Sequence, residues 1–350
     1  MPQKVLIIGA GLAGICLAHR LLEAGAHVTM MDAGQNHSSA VAAGMVNPMV
    51  FRRMNKSWRL AEFLKEGSDF YQQIEKRTGG QFYHPLVIRR FFSSQQEKDL
   101  WDEKSNDQSY EPYLEKIIQE DTLNQSAHNL FGSGRVKAAF WVHAANWLKE
   151  NWRYFTDQEI LIKEVFKAQK WEAESKHYDG IQYDAVAFCM GYLQKNEATF
   201  GYLPLQQTKG QILTIESSQI SQKESLNRKC FVLPVGENLF RVGATYEWNN
   251  SSLHTTQEAK QTLIENLNAL GSFDYQIREQ IAGVRPTVLD RRPLMGEHPK
   301  LQGVFIFNGL GTKGYMMAPT LARELAAHIL DSKGLHPETC ISRFNDLLLN

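Results

Sequence analysis

The chain has 350 residues, enough for about two domains of roughly 150 residues each and a sizeable core. Lysines and arginines number 38 and aspartates and glutamates 38, so the formal net charge is zero, which argues against a basic nucleic-acid sleeve or a surface built for anionic membranes. A hydrophobic content of 43% with 22% charged residues excludes global disorder. Cys16, Cys189, Cys230 and Cys340 are widely spaced, without a CxxC or Cys/His pairing. This speaks against a disulfide framework or zinc site and for a reducing, cytoplasmic setting. The apolar run from Val5 to Ala18 is too short to span a bilayer, and it lacks the basic flank and cleavage site of a signal peptide.

The order of the first elements is informative. Lys4 to Ile8 reads as a buried strand, continuously apolar after Lys4 and rich in β-branched residues. Gly9-Ala10-Gly11-Leu12-Ala13-Gly14 follows, then a helical apolar spacing from Ile15 to Ala24, then a second strand, His27 to Met31, closed by Asp32 and Ala33. In such a unit Gly9 permits the tight turn, Gly11 lets backbone approach a pyrophosphate, and Gly14 lets helix and strand pack closely. The helix N-terminus offers N–H groups and positive dipole to phosphates, and Asp32, 18 residues after Gly14, suits ribose hydroxyls. The pattern predicts dinucleotide binding without separating NAD from FAD. Ser38 to Met45, including Ser39, Ala42, Ala43 and Gly44, is small and uncharged, so a ligand can lie flat on its backbone or the stretch can be a packed loop.

Further along, Asn47 to Lys56 reads as a polar, basic loop, followed by a helix from about Trp58 to Lys76 that ends at Gly79-Gly80. Residues 85–92 are strand-like, and 93–125 read as surface helix and loop. Ile160 to Trp171 reads as paired strands, and Ala185 to Gly191 as a buried strand ending at a glycine. Strands are expected over 210–216 and 230–246, with a hairpin at Gly236-Glu237-Asn238, and a helix over 256–270. The last elements are a strand Val304 to Phe307, a glycine loop, and a helix from about Ala318 to Leu330.

Val5 to Asp32, Ala42 to Met45, Tyr183 to Gly191, Arg241 to Thr245, Gly283-Val284-Arg285-Pro286 and Gly309 to Pro319 are collinear along the whole chain. Together they resemble the D-amino-acid oxidase family of FAD-dependent oxidoreductases, including its glycine oxidase and sarcosine oxidase members and the oxidase domain of the tRNA wobble-uridine modification enzyme. The resemblance implies an α/β fold, with a Rossmann-like FAD domain of glutathione-reductase type interleaved with an antiparallel-sheet substrate domain. On that basis residues 1–80, 132–203 and 284–350 form the FAD domain, and 81–131 and 204–283 the substrate domain. Gly9, Gly11, Leu12, Ala13, Gly14, Asp32, Ala33, Ser38, Ser39, Ala42, Ala43, Gly44, Val165, Gly191, Gly309, Gly311, Thr312, Gly314, Tyr315 and Met316 are the implied cofactor residues. No metal ligands are expected. FAD is expected to be non-covalent, because Leu294 to His298 lacks the cysteine that attaches flavin in sarcosine oxidase.

Five residues stand out as catalytic candidates. Arg285, among small and apolar neighbours, needs an anionic partner, either a substrate carboxylate, as the resemblance implies, or a structural acid such as Asp290. Lys313 would place a cation beside flavin or substrate, where glycine oxidase instead has an arginine at the position of Thr312. Arg241 lies near the place of a lysine that assists oxygen in sarcosine oxidase-like enzymes. In a regular strand Arg241 and Tyr246 would face opposite ways, so both belong to one site only if the strand ends or bulges between them. Met45 matches an active-site methionine, although core packing is its commoner use, and Phe231 replaces a tyrosine. Arg52, Arg53, Lys56, Arg89 and Arg90 form two basic clusters, read as solvated charge or as selectors of an extra anionic group. The implied reaction is oxidation of an amine or amino acid by hydride transfer to flavin N5, giving an imine, with oxygen as acceptor. The alternatives are oxidation of a carboxymethylaminomethyl group on tRNA, an NAD(P)-dependent dehydrogenase, and a non-catalytic dinucleotide-binding protein.

Overall fold

The computed structural model describes residues 2–34, 38–119 and 123–348; part of the segment expected as surface loop, 120–122, lies outside them. Two sheets organise the chain. In the first, Lys4–Ile8 pairs in parallel with His27–Met31 and with Ala185–Phe188, and every residue from Val5 to Ile8 is buried. Leu161–Ile162 and Leu301–Asn308 extend this sheet in parallel on its two sides, and Leu294–His298 adds an antiparallel edge, giving six strands. A continuous apolar strand of this kind is what a sheet covered on both faces demands. The helix Leu12–Glu23 buries most of its length against this sheet and against the C-terminal helix Gly314–Asp331.

That last helix begins four residues before its expected start at Ala318. Pro319 sits in its interior and removes the N–H that would bond the Tyr315 carbonyl. The Tyr71 hydroxyl donates to that carbonyl instead at 2.8 Å, so the helix runs on through the proline. Tyr71 belongs to the helix Leu60–Thr78, which ends where Gly79 takes a φ of 71°. Ile160 to Trp171 does not form paired strands. Leu161–Ile162 joins the parallel sheet, Ala168–Lys170 is a 3₁₀ turn, and Trp171–Glu172 starts a separate three-stranded sheet with His177–Tyr178 and Ile181–Gln182.

The second sheet has nine strands and is mostly antiparallel. Its centre is Leu205–Glu216, which pairs with Gln276–Val288 along one edge and with Leu239–Gly243 and Glu247–Trp248 along the other. The expected hairpin is present between Phe231–Gly236 and Leu239–Gly243, with Glu237 and Asn238 at φ 52° and 59° as a tight primed turn requires. Ser225–Asn227, which pairs in parallel with Tyr83–Phe91, and then Ser133–Val142 and Met45–Val46 complete the far side. Met45–Val46 and Ser133–Val142, within the ranges expected for the FAD domain, pair into this sheet. No helix among the described residues is long and apolar enough to cross a membrane.

Candidate active site

A cavity of about 620 Å³ runs from the glycine turn of the first sheet to the central strands of the second. At its first end lie Gly9, Gly11, Leu12, Ala13, Asp32 and Ala33, with Glu164, Val165 and Gly191. Gly9 has a φ of 106°, and a Cβ there would come 2.4 Å from the Cys189 carbonyl oxygen, so only glycine fits. Gly14 does not line the cavity. A Cβ on it would come 1.9 Å from the Gly9 carbonyl oxygen, so Gly14 sets the close helix–strand packing that shapes the turn. The Asp32 carboxylate accepts from the Ala10 N–H at 2.6 Å and the Gly34 N–H at 2.8 Å, which fixes it at the strand end beside the turn.

The middle of the cavity is walled by Ser38, Ser39, Ala42, Ala43 and Gly44 on one side and Gly311, Thr312, Gly314, Tyr315 and Met316 on the other. The Ser39 hydroxyl accepts from the Leu12 N–H at 2.9 Å and its carbonyl accepts from the Tyr315 hydroxyl at 2.7 Å, which ties the two walls together. Ser38 donates to the Val284 carbonyl and so links this wall to the second sheet. Gly309 is not a wall residue; its neighbours Asn308 and Leu310 are. The helices Leu12–Glu23 and Gly314–Asp331 both start at the cavity, and neither has a side-chain N-cap. Two positive helix ends at one cavity suit a ligand with a diphosphate and a second electron-rich edge, which is the outline of FAD.

At the far end lie Met45, Asn47, Met49, Gly210, Ile212, Phe231, Tyr246, Arg285 and Lys313. Arg285 lies across the strand Leu205–Glu216, its Nη1 donating to the Thr245 carbonyl at 3.3 Å and its guanidinium 4.7 Å from the centre of the Tyr246 ring. No carboxylate among the described residues pairs with it, and burial lowers its pKa. Asp290, the acid weighed as its structural partner, is bound to Arg343 at 2.8 Å. Beneath Arg285 is Gly210, where a Cβ would stand 2.2 Å from Nη1 and 2.3 Å from Nη2. Gly210 was not singled out from the sequence, although an isolated glycine in a strand signals close approach of another group.

Lys313 donates to the Asn47 carbonyl at 3.4 Å and to the Ser57 hydroxyl, with no acid beside it among the described residues. Burial pushes its pKa down to about 8. An unfolded lysine titrates near about 10.4, so between these two values the unfolded chain holds a proton that the folded chain does not, and stability rises with pH across that window. Below pH 8 the cost of the buried charge is present in full. Lys313→Met is therefore expected to melt above the native apoprotein at pH 7, with the gap narrowing towards pH 10. A gap independent of pH would contradict this assignment of the charge.

Arg241 stands behind the cavity wall. Its Nη1 donates to the Ala42 carbonyl at 3.0 Å and burial lowers its pKa, but it does not line the cavity. The strand carrying it ends at Gly243, so Tyr246 escapes the strand's alternation and reaches Arg285. The two residues thus act in different layers. Met45 lines the cavity, with its sulfur 3.8 Å from the Ser225 hydroxyl. Arg89 and Arg90 are neither solvated nor directed at the cavity. Arg89 is 1% exposed and paired with Glu224 at 2.9 Å, and Arg90 is paired with Glu97 at 2.7 Å. Arg52 and Arg53 are exposed.

Comparisons with known proteins agree with this geometry. Residues 4–328 match the family model described as FAD dependent oxidoreductase, and the chain belongs to that family. It is therefore an FAD-dependent oxidoreductase, with FAD as its cofactor. Among curated relatives, the tRNA 5-methylaminomethyl-2-thiouridine biosynthesis bifunctional protein MnmC of Idiomarina loihiensis is 22% identical over 93% of this chain and 55% of its own length. The chain spans about half the length of the curated relatives it matches. Among solved structures, glycine oxidase from Geobacillus kaustophilus superposes with a TM-score of 0.81 at 17% identity, covering 98% of both chains. Iminodiacetate oxidase from Chelativorans sp. BNC1 gives a TM-score of 0.77 at 19% identity, over 97% of this chain and 98% of its own. These two likenesses establish the fold.

Proposed function

We propose that the protein oxidises the C–N bond of an amino acid or N-substituted glycine whose carboxylate is held by Arg285. The observation that carries this reading is an arginine in the cavity with no acidic partner among the described residues, laid flat over Gly210 and against Tyr246. A guanidinium in that setting matches a carboxylate through two parallel hydrogen bonds. FAD bound in the cavity supplies the two-electron acceptor, with oxygen as the proposed terminal acceptor. The turn at Gly9 to Gly14, Asp32, the Ser38 to Gly44 wall and the start of the helix Gly314–Asp331 are the residues proposed to hold it. Non-covalent attachment is proposed, because Leu294–His298 carries no cysteine.

Arg285 fixes the carboxylate, and the orientation it imposes is its contribution to rate. Lys313, cationic below about pH 8, adds positive potential to the same end of the cavity. Arg241 props the Ala42 carbonyl from behind and is proposed as a positioning residue. The reading is tested with Gly210→Ala. The added methyl must displace the guanidinium, so the substrate concentration for half-maximal FAD reduction is expected to rise about tenfold or more while FAD content is unchanged. Unaltered half-saturation would separate Arg285 from the carboxylate.

A second reading, that the amine is carried on tRNA, is favoured by curated relatives named for tRNA 5-methylaminomethyl-2-thiouridine biosynthesis. The zero net charge weighs against it. Binding of tRNA that weakens steeply between 50 and 200 mM salt, on the order of a hundredfold or more, would support it.

A further inference from the structure

Beyond Arg285 the sheet runs on to its exposed edge. Trp248, Thr208 and Arg285 are direct partners across three neighbouring strands, and residues paired in this way share a face of the sheet. Two strand spacings put Trp248 about 9.5 Å from Arg285 along that row. Glu247–Trp248 is the edge strand, and Trp248 is 62% exposed. Two residues earlier, Tyr246 is 55% exposed, lines the cavity and lies against the Arg285 guanidinium. An indole and a phenol thus make an aromatic rim on the outward side of Arg285, Tyr246 in the cavity wall and Trp248 further along the same face of the sheet. Large exposed aromatics so placed offer flat area at little cost in side-chain freedom, and a planar ring can stack there.

We propose that this rim is a specificity subsite, and that the substrate is a glycine-type amine bearing an aromatic or heteroaromatic ring, whose carboxylate lies on Arg285 and whose ring lies on Trp248 and Tyr246. The occupant follows from the order of the residues along this face. Tyr246 belongs both to the cavity wall and to the rim, so a substituent leaving the carboxylate site in this direction meets Tyr246 first and Trp248 next. The inference rests on the proposed role of Arg285.

The test uses the FAD-loaded full chain and two glycine amides that are not amines and so are not oxidised as such, N-benzoylglycine and N-acetylglycine. Both carry the carboxylate, and only the first carries a ring. Calorimetry is expected to show N-benzoylglycine binding about tenfold more tightly. Trp248→Ala should remove most of that difference and leave N-acetylglycine binding as it was, with Trp248→Phe intermediate. Equal affinities in the native protein, or a ring preference that survives Trp248→Ala, would overturn the proposal. Failure of both compounds to bind would overturn it together with the Arg285 reading. Separately, anaerobic reduction by N-methylglycine and N-benzylglycine reports on the oxidase reading. If neither bleaches the flavin while the amide ratio and its loss in Trp248→Ala hold, the subsite stands and the proposed reaction fails.

Discussion

Arg285→Ala is expected to lower the second-order rate constant for amine-dependent FAD reduction by about a thousandfold while leaving FAD content unchanged. The size follows from what is removed. If the half-buried guanidinium faces a carboxylate through two parallel hydrogen bonds, as proposed, the variant loses both bonds and the charge, and the carboxylate then enters the cavity unpaired. The loss should fall on binding and on orientation, so half-saturation rises and the limiting rate falls together. Arg285→Lys should recover only a small part, because an ammonium is a point charge and cannot span both carboxylate oxygens. Folding should tolerate the change. Arg285 makes no ion pair among the described residues, and its hydrogen bond to the Thr245 carbonyl is long at 3.3 Å. Anaerobic stopped-flow absorbance of the native protein and both variants checks this; equal rates would remove Arg285 from the site.

Gly14→Ala should abolish FAD binding by a different route. The methyl group would stand 1.9 Å from the Gly9 carbonyl oxygen and 3.2 Å from the Ile7 side chain. The first is a backbone atom of the turn and cannot swing away, so the helix Leu12–Glu23 must move off the strand Lys4–Ile8. Overpacking in a core of this kind costs about 1–3 kcal/mol or more, and here it also pulls the helix N-terminus from its place at the cavity. The variant is expected to purify colourless, with FAD affinity lowered at least about a hundredfold and a lower Tm. Native-like FAD content would mean that the close packing of helix and strand does not shape the cofactor site.

The parts of this structure that short-range chemistry dictates were legible in the sequence. The buried strand Lys4–Ile8, the glycine turn and Asp32 needed no long-range information, and neither did the hairpin at Glu237 and Asn238. Long-range pairing was not legible. Ser133–Val142 belongs to the second sheet because it pairs with Tyr83–Phe91, some fifty residues away, and nothing in its composition says so. Arg89 looked like surface charge because Glu224, its partner, lies 135 residues further on. The start of the last helix was obscured by Pro319, whose missing hydrogen bond is replaced by Tyr71 from another helix. In the site itself, Arg285 was singled out as a charge among small and apolar neighbours, and Lys313 through the family resemblance. What holds them was not: Gly210 beneath Arg285, and the Asn47 carbonyl and Ser57 hydroxyl at Lys313, are neutral groups without a motif.

The central claim is an FAD-dependent oxidation of an amine whose carboxylate is anchored on Arg285. Its most direct measurement is the visible absorption of the FAD-loaded protein before and after anaerobic addition of glycine, N-methylglycine and N-benzylglycine, each paired with the corresponding amine lacking a carboxylate. The account predicts flavin bands that bleach with at least one of the carboxylates and remain with its decarboxylated counterpart. Bands that bleach equally with both members of a pair, or with none of the compounds, would contradict it.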